Sequence, residues 1–300
     1  MAIQQSRQFL LGLPATGKTT FLAALWHVVN SAEVNGALKL KRLHGNQKHL
    51  NEIRDLWSDV RALERTKVGS EKFISMLLKD SNNNSVTEAI FPDLSGESFI
   101  SQWVHRKMKI DHAELVREAT GGLLLIHPDT VIEETVIPKT EPIIESMRAE
   151  MQKDKPAAVE ANQISDATAN QMIAEVDWNP EKTPTQIQLV DILQFIAALN
   201  TRRPIKLAVV VSAWDRITNT TQPSKWIENR LPLLSQYLTA NKEIFLKESY
   251  GISAQGGNLD EADKLRENVR PSDRIRVVRN DLSESHDITI PIQWIMEPLV

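Results

Sequence analysis

One short stretch constrains the fold of this chain more than any other. Residues 12–19 read Gly-Leu-Pro-Ala-Thr-Gly-Lys-Thr, a complete Gly-x-x-x-x-Gly-Lys-Ser/Thr phosphate loop between an apolar run and a helix-like segment. Gly12 and Gly17 allow the backbone to curl so that successive N–H groups point at one spot. A phosphate can accept hydrogen bonds there, and the dipole of the following helix strengthens the attraction. The stretch therefore predicts a nucleotide-binding site between a strand and a helix.

Two side chains of this loop have specific predicted roles. Lys18 reaches the β- and γ-phosphates, and the hydroxyl of Thr19 is a ligand for Mg²⁺. The other residues predicted to contact the nucleotide here are Gly12, Pro14, Ala15, Thr16, Gly17 and Thr20. The alternative is a glycine-punctuated turn with an exposed lysine, and the strand–loop–helix setting argues against it.

The composition argues against several classes of protein. The chain has 300 residues, a net charge of −4 and no cysteine, so disulfides, zinc–thiolate sites and thiol chemistry are excluded. The histidines show no metal-ligand spacing, and we predict no transition metal. No apolar run approaches the ~18 residues needed to span a bilayer. We expect a cytoplasmic globular protein with no membrane span, and no nucleic-acid partner because phosphate-backbone binding needs a basic face.

The hydrophobic pattern predicts an α/β fold. The continuous apolar runs 122–126 and 206–211 are typical of strands buried on both faces of a parallel sheet. Further strands are predicted at 38–43, 73–78 and 86–91, and helices at 19–35 and 47–63. Alternating strands and helices indicate a doubly wound α/β fold, a mostly parallel sheet with helices on both faces. Together with the phosphate loop, this predicts a P-loop NTPase fold.

A segment between the two buried strands interrupts this pattern. Residues 129–184 contain no strand-like run, and residues 130–180 hold ten acidic and four basic residues. We predict a single domain over 1–300 with a partly helical insertion at 129–184. A solvated loop is the alternative.

A second motif ends the predicted strand 86–91, where residues 93–96 read Asp-Leu-Ser-Gly. It resembles the P-loop nucleotidases, in which an acid at the tip of a neighbouring strand holds Mg²⁺ through water and the glycine donates its N–H to the γ-phosphate. The resemblance assigns these roles to Asp93 and Gly96. Glu97 occupies the place where Ras-like GTPases carry a water-positioning glutamine. Its carboxylate would accept a proton from water but would also repel the γ-phosphate, and a strand-end aspartate that caps a turn is the structural alternative.

Two further motifs follow in the order expected for guanine recognition. Residues 212–215, Ser-Ala-Trp-Asp, stand where the Asn-Lys-x-Asp motif belongs. Asp215 can accept hydrogen bonds from the N1–H and the 2-amino group of guanine, which adenine cannot offer. Ser212 and Ala213 replace the usual asparagine and lysine, and we expect Trp214 to take over part of the lysine's packing on the base. The alternative is that the serine and the aspartate at the end of the strand only form a turn. Ser253, Ala254 and Gln255 resemble the Ser-Ala-x loop that offers a backbone N–H to guanine O6.

Together the four motifs resemble the translation-factor-like and Ras-like class of P-loop GTPases. Residues 64–66, 91–97, 250–257 and 286–294 narrow the resemblance to bacterial double-GTPase proteins. The resemblance implies GTP and GDP as ligands, Mg²⁺ as cofactor, and a protein partner such as a second GTPase or an effector subunit in a conflict or phage-defence system. An oligomer is left open.

The resemblance also implies a switch. Thr66 would contact Mg²⁺ and the γ-phosphate in the triphosphate state only. Arg65 and Arg61 are candidates for an arginine finger, and the favoured alternative is that both lie on a solvated helix. We expect a GTPase that turns over slowly without its partner. The alternatives are an ATP-using P-loop enzyme or small-molecule kinase, and a scaffold that binds nucleotide without hydrolysing it.

Overall fold

The computed structural model describes residues 4–31, 33–36, 38–44, 47–63, 72–81, 86–93, 96–133, 182–217 and 221–298. The strands are β1 (Gln4–Leu11), β2 (Leu38–His44), β3 (Lys72–Asp80), β4 (Val86–Asp93), β5 (Gly121–Ile126), β6 (Ile205–Ser212), β7 (Phe245–Ser253), β8 (Arg276–Val278) and β9 (Glu284–Ser285). The helices are α1 (Lys18–Asn30), α2 (Gln47–Ser58), α3 (Gly96–His105), α4 (Ile110–Glu118), α5 (Thr185–Leu199), α6 (Pro223–Arg230), α7 (Pro232–Ala240), α8 (Ala262–Arg266) and α9 (Ile290–Met296).

The described strands form one nine-stranded sheet in the order β2-β3-β4-β1-β5-β6-β7-β8-β9. The five central strands, β4, β1, β5, β6 and β7, run parallel to one another. Antiparallel strands extend the sheet at both edges. In this order, β1 lies between β4 and β5. The connections after β1 therefore lead to strands on both of its sides, and such a topological switch point forms a crevice at the carboxyl end of a parallel sheet.

Alternating side chains of the central strands pack into two separate hydrophobic layers. Leu10, Leu123 and Leu125 belong to a layer that includes α1 and α2, whereas Leu11 and Leu124 belong to a layer that includes α3 and α5. All residues of β5 and β6 are buried, as their apolar runs predicted. The predicted α/β fold, with a largely parallel sheet and helices on both faces, is confirmed.

Two helices end earlier than the periodicity predicted. Helix α1 ends at Asn30, because Ser31 adopts an extended conformation. Helix α2 ends at Ser58 instead of continuing to residue 63, because Val60 has a φ of 55°. The N–H of Val60 donates to Trp57 O at 3.1 Å and the N–H of Arg61 donates to Leu56 O at 2.8 Å, the hydrogen-bond pattern of a Schellman motif.

The chain divides into two compact units. Residues 1–131 and 185–300 form the unit that contains the sheet, and residues 132–184 form the other. Residues 134–181 lie outside the described residues, so the partly helical insertion predicted for 129–184 stays a prediction. Within the described part of the chain, none of the helices combines the length and the apolar character needed to cross a membrane.

Candidate functional site

The phosphate loop connects β1 to α1 as the motif predicted. Ala15 and Gly17 have φ values of 59° and 84°, and Gly17 is the N-cap of α1 without any side-chain cap. Left-handed residues at these positions curl the backbone, and the first N–H groups of an α-helix lack partners within the helix. The loop therefore presents backbone donors and the positive end of the α1 dipole at the carboxyl end of β1.

The ammonium group of Lys18 lies folded over this loop. Its Nζ donates to Gly12 O at 2.7 Å and to Leu13 O at 3.0 Å, and it lies 5.7 Å from the centre of the Phe99 ring. The side chain is almost completely buried. Thr16 Oγ1 donates to Leu13 O at 2.9 Å and supports the same turn. A positive charge is thus held at the loop where a phosphate would bind.

A cavity of about 220 Å³ opens beside the loop, at the carboxyl ends of β5, β6 and β7. It brings together residues from the phosphate loop and from both motifs predicted to recognise the base. The predicted residues that line it are Gly17, Thr20, Ser212, Asp215, Ser253, Ala254 and Gln255. Residues widely separated in sequence therefore form one pocket.

A hydrogen bond fixes the predicted base-reading carboxylate. Ser253 Oγ donates to Asp215 Oδ1, and the N–H of Gly256 donates to Ser253 Oγ at 3.2 Å. Ser253 is buried, whereas Asp215 is exposed at the cavity. The neighbouring strands β6 and β7 bring the two residues together, with Ser212 paired to Ile252. The geometry leaves the carboxylate facing the cavity with a fixed orientation.

With this geometry in place, comparisons with known proteins identify the family. The family model of Double-GTPase 1 matches residues 9–295, nearly the whole chain. The chain belongs to the double-GTPase 1 family.

Other comparisons add little to this assignment. A comparison with curated protein sequences gives no match. A solved structure, the crystal structure of sup35 complexed with GDP, aligns with 9% sequence identity and a TM-score of 0.35 over 86% of this chain. This chain spans 39% of that one. The similarity at this level carries no argument about function.

No residue in this double-GTPase takes over the role of the lysine in the Asn-Lys-x-Asp pattern. Ala213 stands at that position with a φ of 45°, and Ser212 Oγ donates to Ile126 O at 3.2 Å. Trp214, which we expected at the base, instead belongs to the core. Its indole is 3% exposed and packs so closely on β7 that a Cβ added to Gly251 would lie 2.2 Å from it. Trp214 is not among the residues lining the cavity.

The double-GTPase cavity also has lining residues that the motifs did not indicate. Phe21, Leu63, Asn258 and Leu259 contribute to its wall, and so does Arg61. Arg61 lines a second cavity as well, together with Arg266 and Arg274. Its role as an arginine finger, the alternative to Arg65, stays a prediction. No sequence motif marks Leu63, Asn258 and Leu259, because their positions depend on how the segments after α2 and after β7 pack, whereas Phe21 is on α1 close to the phosphate loop.

An ion pair and a histidine form the β5 side of the cavity. Arg216 Nε lies 2.5 Å from Asp129 Oδ2, and Arg216 and His127 both line the cavity. His127 Nδ1 accepts a hydrogen bond from the N–H of Asp129 at 3.2 Å, which leaves Nε2 to carry the proton in the neutral ring. Burial lowers the pKa of His127, Arg216 lowers it further, and Asp129 and Asp215 oppose the shift.

Two of the three predicted magnesium ligands belong to elements that border the phosphate loop. Thr19 is the second residue of α1, and Asp93 is the last residue of β4, the strand beside β1. Because Arg7 pairs with Ile90, the same register brings Asp93 level with Leu10, next to the loop. A hydroxyl and a carboxylate are oxygen donors, which Mg²⁺ prefers. The two residue types therefore suit Mg²⁺, and its binding here stays a prediction.

The residues predicted to act at the γ-phosphate lie partly or wholly outside the described part of the chain. Gly96 is the first residue of α3, and Glu97 follows it, but the side chains of Asp93 and Glu97 are outside the described atoms. Thr66 and Arg65 lie outside the described residues. Their roles at the γ-phosphate stay predictions.

Proposed function

We propose that this double-GTPase binds GTP and GDP in the cavity and hydrolyses GTP to GDP with Mg²⁺. One observation carries the proposal. Gly17 of the phosphate loop lines the same cavity as Asp215, Ser253 and Ala254. A nucleotide with its phosphates on the loop would therefore have its base beside the carboxylate of Asp215.

The chemistry of the base site favours guanine. An aspartate accepts hydrogen bonds from both N1–H and the 2-amino group of guanine. Adenine presents an unprotonated N1 and no amino group at position 2, so it would leave the carboxylate without partners. The hydrogen bond from Ser253 orients Asp215 for this contact before the nucleotide arrives.

The phosphate site supplies positive charge and backbone donors. Lys18 would exchange its bonds to Gly12 O and Leu13 O for phosphate oxygens, because hydrogen bonds between two charged groups are stronger than those to neutral carbonyls. Thr19 and Asp93 would hold Mg²⁺. When bound, Mg²⁺ would neutralise charge on the β- and γ-phosphate oxygens during the reaction.

The hydrolytic step rests on the residues at the γ-phosphate. We assign Glu97 to the attacking water, where its carboxylate would accept a proton, and Gly96 N–H to the γ-phosphate. Thr66 would order its segment around Mg²⁺ and the γ-phosphate, and Arg65 would stabilise the transition state. Because the Glu97 carboxylate also repels the γ-phosphate, we expect slow turnover in the isolated protein.

The test is a measurement of phosphate release from GTP and from ATP, with Mg²⁺ or with EDTA. We expect Mg²⁺-dependent release from GTP that is lost in Lys18→Ala and reduced in Glu97→Ala. Lys264→Ala is the matched control, because this lysine lies on the exposed surface of α8. Binding of GTP without any turnover would favour a non-hydrolysing scaffold. Faster turnover of ATP would favour the ATP-using alternative.

We extend the proposal to signalling. Mg²⁺·GTP would order the segments around Thr66 and Asp93–Glu97, and hydrolysis would release them, so a protein partner could read the difference. The resemblance to double-GTPase systems supports a second GTPase or an effector subunit as that partner, in a bacterial defence system. A partner that binds with a non-hydrolysable GTP analogue but not with GDP would support this role. Equal binding in both nucleotide states would contradict it.

A further inference from the structure

The last turn of α2 is hydrogen-bonded to the loop that follows β7. Trp57 is fully buried there, and its indole Nε1–H donates to Ala254 O at 2.9 Å. In the other direction, Gln255 Nε2 donates to Trp57 O at 3.4 Å. Ala254 is the central residue of the predicted Ser-Ala-x loop, and we take its backbone N–H as the donor that this loop would offer to the O6 atom of guanine. A residue 197 positions away in the sequence thus fixes the peptide next to the proposed donor.

A buried arginine holds Trp57 in place. The guanidinium carbon of Arg274 lies 4.9 Å from the centre of a Trp57 ring. Its Nη1 donates to Ser58 O at 3.2 Å and its Nη2 donates to Trp57 O at 3.1 Å. The final carbonyls of a helix lack partners within the helix, and a cation there is favoured by the helix dipole. Arg274 is 7% exposed, so most of its side chain is removed from water, and the remainder lines the second cavity.

The backbone around these side chains has little freedom. Val60 closes α2 with its left-handed conformation and donates to Trp57 O. On the other side, Gly256 has a φ of 88° and passes so close to Arg274 that an added Cβ would lie 2.5 Å from Arg274 O. Trp57 and Arg274 therefore contact one side of the loop that contains Ser253 and Ala254. The other side of this loop lines the cavity.

We propose that Trp57 and Arg274 are positioning residues that set the selectivity of this double-GTPase for the 6-oxo group of guanine. They act through Ala254, whose carbonyl Trp57 holds, and they do not contact the nucleotide themselves. A displaced Ala254 would lose its hydrogen bond to O6, while Asp215 would keep its contacts with N1–H and the 2-amino group. This inference rests on the proposed binding of guanine nucleotides.

The test compares two nucleotides in two tryptophan variants. GDP carries O6, whereas 6-thioguanosine diphosphate carries a weakly accepting sulfur there and keeps both groups that face Asp215. Trp57→Phe keeps an aromatic ring under Arg274 but removes the Nε1–H donor. Trp26→Phe is the matched control, since Trp26 on α1 is equally buried and its Nε1 donates to Asn51 Oδ1 at 3.0 Å, away from the loop.

We expect Trp57→Phe to weaken GDP binding about 5- to 10-fold, the range for one lost hydrogen bond, and to change binding of the thio analogue less than about 2-fold. Trp26→Phe should leave both affinities unchanged. Arg274→Lys should show the same pattern as Trp57→Phe in weaker form, because lysine lacks the two-pronged contact. Equal weakening of both nucleotides by Trp57→Phe, or no weakening, would overturn the proposal. If the proposed guanine binding were wrong, the result would be different: the wild-type protein would not prefer GDP to ADP.

Discussion

Ser253 donates a hydrogen bond from its hydroxyl to the carboxylate of Asp215, across the carboxyl ends of β6 and β7. The same hydroxyl oxygen accepts a hydrogen bond from the N–H of Gly256. The buried side chain of Ser253 therefore connects Asp215, which would bind N1–H and the 2-amino group of guanine, to the loop that would bind O6. This relationship joins two of the motifs into a single recognition surface.

Removing that hydroxyl should loosen Asp215 without unfolding the protein. We predict that Ser253→Ala lowers the preference for GDP over ADP by about 3- to 10-fold, in line with the typical worth of one hydrogen bond. Calorimetric titration of both nucleotides measures the ratio. Ser253→Thr, which retains a hydroxyl, is the control and should keep most of the preference. An unchanged ratio in Ser253→Ala would show that Asp215 does not depend on this contact.

Gly256 is predicted to be intolerant of any side chain. Its φ of 88° is unfavourable for other residues, and an added Cβ would lie 2.5 Å from Arg274 O. Gly256→Ala should therefore lower the free energy of unfolding by about 2–3 kcal/mol and weaken GDP binding. Gly257→Ala is the matched control, because its nearest neighbour is a Leu265 methyl at 3.1 Å that can move. Equal stability of the two variants in urea denaturation would contradict this assignment.

The lowered pKa of His127 predicts a pH dependence of stability. Well above pH 6.5, the usual pKa of a histidine, His127 is neutral in both the folded and the unfolded protein. As the pH falls below 6.5, the unfolded chain takes up the proton first, so folding loses stability until the pH passes the lower pKa of the folded state. His127→Gln should reduce the loss of unfolding free energy between pH 7.5 and 5.5. A variant with the same pH dependence as the wild type would contradict the shift, and NMR titration of the ring would measure it directly.

The sequence predicted those parts of the site that depend on local geometry. The loop 12–19 requires a strand before it and a helix after it, and the structure has β1 and α1 there. The buried runs in β5 and β6 and the polar residues after β6 and β7 follow from the same local patterns. Because the carboxyl ends of neighbouring parallel strands meet at one edge, Asp215 and Ser253 could be expected to lie together.

Contacts between distant segments could not be predicted in this way. Asp129 and Arg216 form their ion pair only because β5 and β6 are neighbours, and neither residue belongs to a recognisable motif. The missing lysine of the guanine motif suggests Trp214 as a replacement at the base, yet Trp214 begins the short helix 214–216 and is buried in the core. The early end of α2 could not be predicted, because valine rarely adopts a positive φ and nothing in the sequence indicates the value of 55° at Val60.

The central claim is that the Asp215 carboxylate reads a guanine base. The direct test is calorimetric binding of GDP, ADP and XDP to the wild type and to Asp215→Asn. An amide can donate to the 2-carbonyl of xanthine and cannot accept from both guanine donors, so the account predicts GDP preference in the wild type and XDP preference in the variant. Equal or tighter binding of ADP by the wild type, or a variant that keeps its GDP preference, would contradict it.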